Sequence, residues 1–367
     1  MIWAVLAIIF TVHALVATLL LARRIAKRKP PSSWPSILIL RPCEGSEEGL
    51  RENLRSSLAP YPGVRRVLVL VPSETDPAYR VAHELGLDVR VTHPEGARNR
   101  KSAQLDAGLR DAREEVVVQV DSDVRLDDSS LTDLLAALCE RTDVAAAFAV
   151  PVELEVETFG DFATSALLTA STQSFVVLAA LSKLGGGVPA LAGAFAAHRR
   201  QLLVDTGGFA SLEGMLGEDF EVGRRLHARG FDIAVSASPV RMMDRGRSFA
   251  TVVARTARWM MVVRHQRGLV FLTYPFLLAA TPLILIAACC VSPLWPLALT
   301  LLAARGILAV VLRRFHRAPR SSLGLSLVLS AEILMLLSFA RALGSSVIVW
   351  RGRRMRIGRG GAIELVA

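Results

Sequence analysis

The chain has 367 residues, of which 52% are hydrophobic and 21% charged, with a net charge of +10. The average hides two regimes: residues 33 to 265 carry charges throughout, as a soluble domain does, and the two ends do not. The positive charge fits a protein lying against an anionic leaflet; with no recognised nucleic-acid module and no interleaving of aromatic and basic residues, no nucleic acid is expected as a partner.

Ile2 to Ala22 is a nearly uncharged apolar run, about the ~20 residues that cross a hydrocarbon core. Arg23, Arg24, Lys27, Arg28 and Lys29 follow it. A cleavable signal peptide carries its positive charge before the apolar stretch, so this order predicts an uncleaved anchor over 1–23. The positive-inside tendency then predicts a cytoplasmic location for the domain that follows, 33–265.

Residues 30 to 36, rich in Pro and Ser, read as a linker. The apolar run 36–42 predicts a strand, Leu50 to Leu58 a helix, and Val64 to Val71 a strand. Asp76 to Leu85 predicts a helix with Asp76 as N-cap and Pro77 at its first position. Further on, strands are expected at 89–91, 115–120 and 144–150, and helices at 101–112 and 129–139. Alternation of helices with near-continuous apolar strands implies an α/β domain with a mainly parallel sheet covered on both faces. Ligands bind such sheets off the carboxyl ends of the strands, where Asp76 and Asp121 both fall. Phe162 to Leu184, ending at Gly185-Gly186-Gly187, fits either an interfacial helix or a long buried one.

Three apolar runs follow: Leu269 to Val291, Leu294 to Leu312 and Leu323 to Trp350. They predict C-terminal membrane helices over 269–350, two of them spans. Arg313, Arg314, His316, Arg317 and Arg320 form a basic loop expected on the cytoplasmic side. The third run holds Glu332 and Arg341, costly in lipid unless they face protein, and is long for one span. It is expected to cross or to be re-entrant, ahead of a basic tail over 351–367. Cys43, Cys139, Cys289 and Cys290 lack metal-ligand spacing and are expected to be reduced and structural.

Five short motifs carry possible chemistry. Asp121-Ser122-Asp123 ends a buried-looking strand; two carboxylates one residue apart can bind a hard divalent cation together with diphosphate oxygens. Asp76 can contact a nucleotide as well as cap its helix. Asn99 and Lys101, at a helix start, can meet a phosphate or ribose. In Gly217-Glu218-Asp219, a carboxylate can act as general base on an acceptor hydroxyl. Arg255 and Arg258, one helical turn apart, can clamp a diphosphate, and Trp259 can stack on a sugar or wall the site. Singly, each also fits a plain structural role: an acidic turn, a helix cap, a solvated basic turn, dipole-favoured acidity or a juxtamembrane belt.

As an ordered set they resemble the inverting family-two glycosyltransferases, specifically the ceramide glucosyltransferase branch. Arg41-Pro42-Cys43-Glu44-Gly45 resembles that branch's first-strand exit, and Glu52 to Ser57 with Tyr61-Pro62 the helix and turn after it. Asp76-Pro77-Ala78, Asn99-Arg100-Lys101, Asp121-Ser122-Asp123, Glu218-Asp219 and Arg255 to Trp259 are similar to its successive motifs, and Trp350 to Arg356 to its terminal basic strip. The resemblance implies a GT-A-type nucleotide-sugar-binding domain, a UDP-sugar donor such as UDP-glucose, and Mg²⁺ or Mn²⁺ as cofactor held by Asp121 and Asp123. Asp219 is then the catalytic base, and Asp76, Asn99, Lys101, Arg255, Arg258 and Trp259 bind substrate. The acceptor implied is a membrane lipid, ceramide, and the setting the lipid bilayer of a bacterial inner membrane. Several ceramide-using relatives carry Gly where this chain has Asp123. A hopanoid or other lipid acceptor is the alternative this leaves, and a processive polysaccharide synthase and a non-enzymatic membrane scaffold stand as separate rivals.

Overall fold

A computed structural model describes residues 2–25, 28–153, 156–170, 191–236, 238–243, 245–315 and 324–366. The stretch 171–184 of the predicted helix at Phe162, Gly185 to Gly187, Lys27, and the loop residues His316, Arg317 and Arg320 lie outside them. The chain divides into two compact units: Arg24–Val152 with Leu178–Asp244, and Met1–Arg23 with Glu153–Val177 and Arg245–Ala367.

Helix α1 (Ile2–Ile25) opens the chain. It is followed by β1 (Ile37–Pro42), α2 (Leu50–Arg55), β2 (Val64–Val71), α3 (Pro77–Glu84), β3 (Asp88–Val91), α4 (Arg100–Leu109) and β4 (Val116–Val120). Then come β5 (Val124–Arg125), α5 (Asp128–Cys139), β6 (Val144–Phe148), β7 (Pro151–Glu153) and a helix, α6, over 159–170. The middle of the chain closes with β8 (Phe195–Arg199), α7 (Arg200–Asp205), α8 (Glu218–Ala228), β9 (Asp232–Val235) and β10 (Val240–Met242). The C-terminal helices are α9 (Phe249–Arg267), α10 (Tyr274–Leu278), α11 (Ala280–Cys290), α12 (Trp295–Phe315) and α13 (Gly324–Gly344), before β11 (Val347–Trp350), β12 (Arg353–Ile357) and β13 (Ile363–Leu365).

In the α/β unit, seven strands form one sheet in the order β3-β2-β1-β4-β8-β6-β9. β1 lies parallel to β2 and β4, β2 to β3, and β6 to β9; β8 runs antiparallel to both β4 and β6. Every position of β1, β4 and β6 is buried, which is why these strands read as continuous apolar runs rather than alternating ones. The mixed, mainly parallel α/β architecture expected from the sequence is the one observed. The chain steps outward from β1 to β2 and β3, then returns to the other side of β1 for β4. That reversal makes the β1–β4 boundary a switch point, the place at the carboxyl ends of the strands where such sheets bind their ligands. Asp76 caps α3 as predicted, accepting from the Ala78 N–H at 2.8 Å.

In the other unit, Ile2–Leu20, Ser292–Phe315 and Leu325–Gly344 are long and apolar enough to cross a membrane. A fourth candidate is the pair Phe249–Leu278 and Ala280–Cys290, bent by 61° at Ala279. The run from Leu323 to Trp350 is too long for one span because it is two elements. Its helix stops at Gly344, and Val347–Trp350 pairs antiparallel with Arg353–Ile357. Arg351, Arg353, Arg354 and Arg356 belong to that hairpin, with Met355 and Ile357 buried and Arg354 and Arg356 exposed, the period of two expected of a half-buried strand. Glu332 is buried against protein and pairs with Arg305 of α12 at 3.0 Å, the arrangement that an acid within a membrane span would need.

Candidate active site

Asp121 is the first residue beyond β4, and its N–H extends the ladder to β8 by donating to the Ala194 carbonyl at 2.9 Å. Lys101 stands in the first turn of α4. Its Nζ lies 2.6 Å from Asp121 Oδ1 and 3.5 Å from Glu218 Oε1, at the start of α8. Burial works against the ammonium charge, but Asp121, Glu218 and Asp219 outweigh it and raise the Lys101 pKa above the ordinary lysine value. Lys101 is therefore a fixed cation at the carboxyl edge of the sheet.

Asn99 caps α4 by accepting from the Ser102 N–H at 3.1 Å. Its amide donates to the Met215 carbonyl at 2.8 Å and to Glu218 Oε2 at 3.3 Å. Fully buried, its side chain thus ties the start of α4 to the loop that enters α8. Gly217, at φ 81°, makes the left-handed turn from which α8 departs.

Asp219 Oδ2 accepts from the Gly193 N–H at 2.8 Å, and Oδ1 from the Phe220 N–H at 2.8 Å. Burial, and next the Glu218 charge, push its pKa up to about 6 against the opposing pull of Lys101 and the two N–H donors. A Cβ on Gly193 would lie 2.9 Å from the Asp219 Cβ and 3.0 Å from Gln119 Nε2, so the backbone reaches this carboxylate because the residue is glycine.

Asp76 serves two turns at once. Both carboxylate oxygens lie 3.0 Å from the Gly45 N–H after β1, beside the cap already described. Glu44 pairs with Arg100 at 2.6 Å, so the β1 exit is joined to the start of α4 next to Lys101. Asp123 follows Asp121 by two residues, and its carbonyl accepts from the Met243 N–H at 3.0 Å.

The fold thus brings Asn99, Lys101, Asp121, Glu218 and Asp219 into one cluster and links Asp76 to it through the β1 exit. Arg255, Arg258 and Trp259 lie on α9 in the other unit, where the Arg255 guanidinium sits 5.2 Å above the Trp259 ring. Sequence reasoning missed Gly193 and Gln119. Leu191-Ala192-Gly193-Ala194-Phe195 carries no turn signature or charge, and its role exists only once β8 is laid beside β4.

Among the described residues no group of three or more His, Cys, Asp and Glu is arranged to hold a metal ion alone. Asp121 and Asp123 offer hard oxygen donors from one turn. A magnesium-like cation fits such a pair when water and phosphate oxygens complete its shell, because it commonly keeps ligands from outside the protein.

The α/β sheet thus carries a lysine-bridged carboxylate cluster at its switch point, on a chain with candidate membrane spans. The chain matches the model of glycosyl transferase family 21 over residues 2–363. It belongs to that family, the ceramide glucosyltransferase family that its ordered motifs resemble. Among solved structures it is similar to the mannosyltransferase PcManGT from Pyrobaculum calidifontis, in complex with GDP-Man and Mn²⁺, at 18% identity and a TM-score of 0.49 over 93% of this chain and 99% of that one. It is also similar to glucosyl-3-phosphoglycerate synthase from Mycobacterium tuberculosis. The complex of that protein with Mn²⁺, UDP and glucosyl-3-phosphoglycerate matches at 19% identity and a TM-score of 0.39 over 63% of this chain and 79% of that one. Its complex with Mn²⁺, UDP-Glc and phosphoglyceric acid gives 20% and 0.41 over the same shares.

Proposed function

We propose that this protein transfers glucose from UDP-glucose to a hydroxyl of ceramide in the membrane, inverting the anomeric centre in a single displacement. The observation that carries the reading is Asp219, a carboxylate held by the Gly193 N–H at 2.8 Å beside the Lys101–Asp121 pair, with its pKa pushed up to about 6. A base whose pKa lies near the working pH is a stronger proton acceptor than an ordinary aspartate and is still ionised when it must act.

In this reading Asp219 takes the proton of the acceptor hydroxyl as its oxygen attacks the anomeric carbon. The new C–O bond forms on the face opposite the UDP, and the bond between the anomeric carbon and the UDP oxygen breaks. Asp121 and Asp123 would hold the divalent cation, Mg²⁺ or Mn²⁺, whose chemistry would be to neutralise charge on the diphosphate. Lys101 adds a fixed positive charge on the same side, and Asp76 and Asn99 shape the nucleotide side of the crevice. Arg255, Arg258 and Trp259 enter on their chemistry, two guanidiniums one turn apart for a diphosphate and an aromatic face for the sugar or the acceptor mouth. The basic segments after α1 and at the end of α12 favour an orientation with the α/β unit in the cytoplasm.

Radiolabelled UDP-glucose incubated with the purified protein, Mn²⁺ and ceramide-containing vesicles tests this. Label is expected in organic-soluble glycolipid. Label in ethanol-insoluble polymer would replace this reading with a polysaccharide synthase, and no divalent-dependent UDP binding would leave a scaffold. Asp219→Asn is expected to abolish turnover while leaving UDP affinity nearly unchanged; near-normal turnover would remove Asp219 from the role of base.

A further inference from the structure

The turn that carries Asp121 and Asp123 has all four of its carbonyls engaged. The Asp121 carbonyl accepts from the Val124 N–H at 3.2 Å, closing the turn, and from Arg41 Nη2 at 3.0 Å. The Ser122 carbonyl accepts from Asn53 Nδ2 at 3.1 Å. The Asp123 carbonyl accepts from the Met243 N–H, and the Val124 carbonyl from Arg41 Nη2 at 2.6 Å. Two side chains, Arg41 from β1 and Asn53 from α2, therefore hold three of the four peptide units from behind.

Arg41 is an unusual choice for its place. It lies in an all-buried strand and is itself fully buried. Its other terminal nitrogen donates to the Asn53 carbonyl at 2.9 Å and to Ser57 Oγ at 2.7 Å. None of its four acceptors is a carboxylate. Taking a guanidinium out of water without an ion-pair partner in contact is costly, and an apolar side chain would pack in a β-strand core at lower cost. Burial accordingly lowers its pKa, opposed by the nearby carboxylates of Asp123 and Asp121. What the residue supplies in return is geometry. A planar fork reaches four acceptors in fixed directions, which a lysine ammonium cannot do. Those acceptors belong to the acidic turn, to α2 and to the 3-10 turn that follows α2.

We propose that Arg41, together with Asn53, is a positioning residue for the donor site, fixing the main chain from Asp121 to Val124 so that both aspartates meet one divalent cation and a diphosphate. Both side chains are fully buried and act through the main chain of the turn. The inference rests on the proposed assignment of Asp121 and Asp123 to the cation and diphosphate.

The experiment uses the full chain in detergent and measures binding of Mn²⁺ in the presence of UDP, from the loss of the free Mn²⁺ paramagnetic resonance signal, for wild type, Arg41→Lys, Asn53→Ala and Asp121→Asn. Supporting residues behind metal ligands typically govern affinity by about tenfold or more. Arg41→Lys is therefore expected to raise the Kd by about tenfold and Asn53→Ala by about threefold, with donor KM rising in step and kcat recovering at saturating Mn²⁺. A residue that merely held the fold would lower the competent fraction and kcat and leave Kd and KM unchanged. If Asp121→Asn loses binding while both Arg41→Lys and Asn53→Ala keep the wild-type Kd, the proposal is overturned. Should Arg41→Lys fail to fold, an unchanged Kd for Asn53→Ala overturns it alone. Should wild type itself show no Mn²⁺ and UDP binding that depends on Asp121, the donor-site assignment fails first and this inference falls with it.

Discussion

At Asp219, burial and the Glu218 charge push the pKa up to about 6, and Lys101 with the Phe220 and Gly193 N–H groups pulls it back. The sign of the consequence is fixed. Below about pH 6 the carboxyl already carries its proton and cannot take another from a hydroxyl, so kcat/KM is expected to fall as pH drops through that value and to level off above it. The fold binds this proton more tightly than the unfolded chain does, so the group's contribution to stability declines as pH rises from about 4 to 6. Glu218→Gln removes a charge that raises the Asp219 pKa and should move the acid limb of the kcat/KM profile to lower pH. Coincident limbs for the two proteins would assign the titration to another group. The acidic pair was legible in the sequence, because Gly217 followed by two acids at a helix start is a local signature. Gly193 was not, since its importance is a distance to a residue 26 positions away.

At the scale of elements, the broken helix at Ala279 is held by distant charges. Breaking α10 from α11 frees backbone groups on both sides. Arg305 donates to the Leu278 carbonyl at 2.6 Å and also to the Leu277 carbonyl. Glu332 accepts from the Thr281 N–H at 2.8 Å and from its hydroxyl at 2.9 Å. The ion pair is thus a splice: its cation caps the end of one helix and its anion caps the start of the next. Arg305→Leu leaves a buried carboxylate and is expected to destabilise by about 3 kcal/mol or more. An ordinary buried pair is often rescued when both members become apolar. Here Arg305→Leu with Glu332→Leu should stay destabilised, because in lipid the carbonyls and the N–H have no water to turn to. Thermal denaturation in detergent micelles decides it, and a double variant melting with wild type would show that the pair caps nothing. Sequence patterning anticipated the predicted strands and the Asp76 cap because those signals are local: apolar runs of strand length and a capping residue before Pro. It did not register β8, whose Phe195-Ala196-Ala197-His198-Arg199 has neither alternation nor branched residues and is a strand because β4 and β6 pair with it from both sides. Nor did it foresee the splice, because Arg305 and Glu332 sit in different apolar runs.

For the whole molecule, the apolar helices and the +10 charge constrain the insertion. Basic residues follow α1, and Arg313 and Arg314 end α12; in a membrane the positive-inside tendency would draw both places to the cytoplasmic leaflet. If α9 to α11 leads outward and α12 returns, the short turn Ser292–Leu294 lies on the far face and the α/β unit on the near one. The native cysteines report on this. Cys289 and Cys290 are free and exposed at the end of α11, next to that turn. Cys43 is buried and Cys139 half-buried in the α/β unit. In intact cells a membrane-impermeant maleimide is expected to modify Cys289 and Cys290. A variant with Cys289→Ser, Cys290→Ser and Cys139→Ser plus an added thiol at the exposed Arg113→Cys should react only after the membrane is opened. The reverse pattern would put the sheet and its carboxylate cluster outside. It would then separate Asp121 and Lys101 from any donor made in the cytoplasm, so the labelling tests the proposed chemistry as much as the topology.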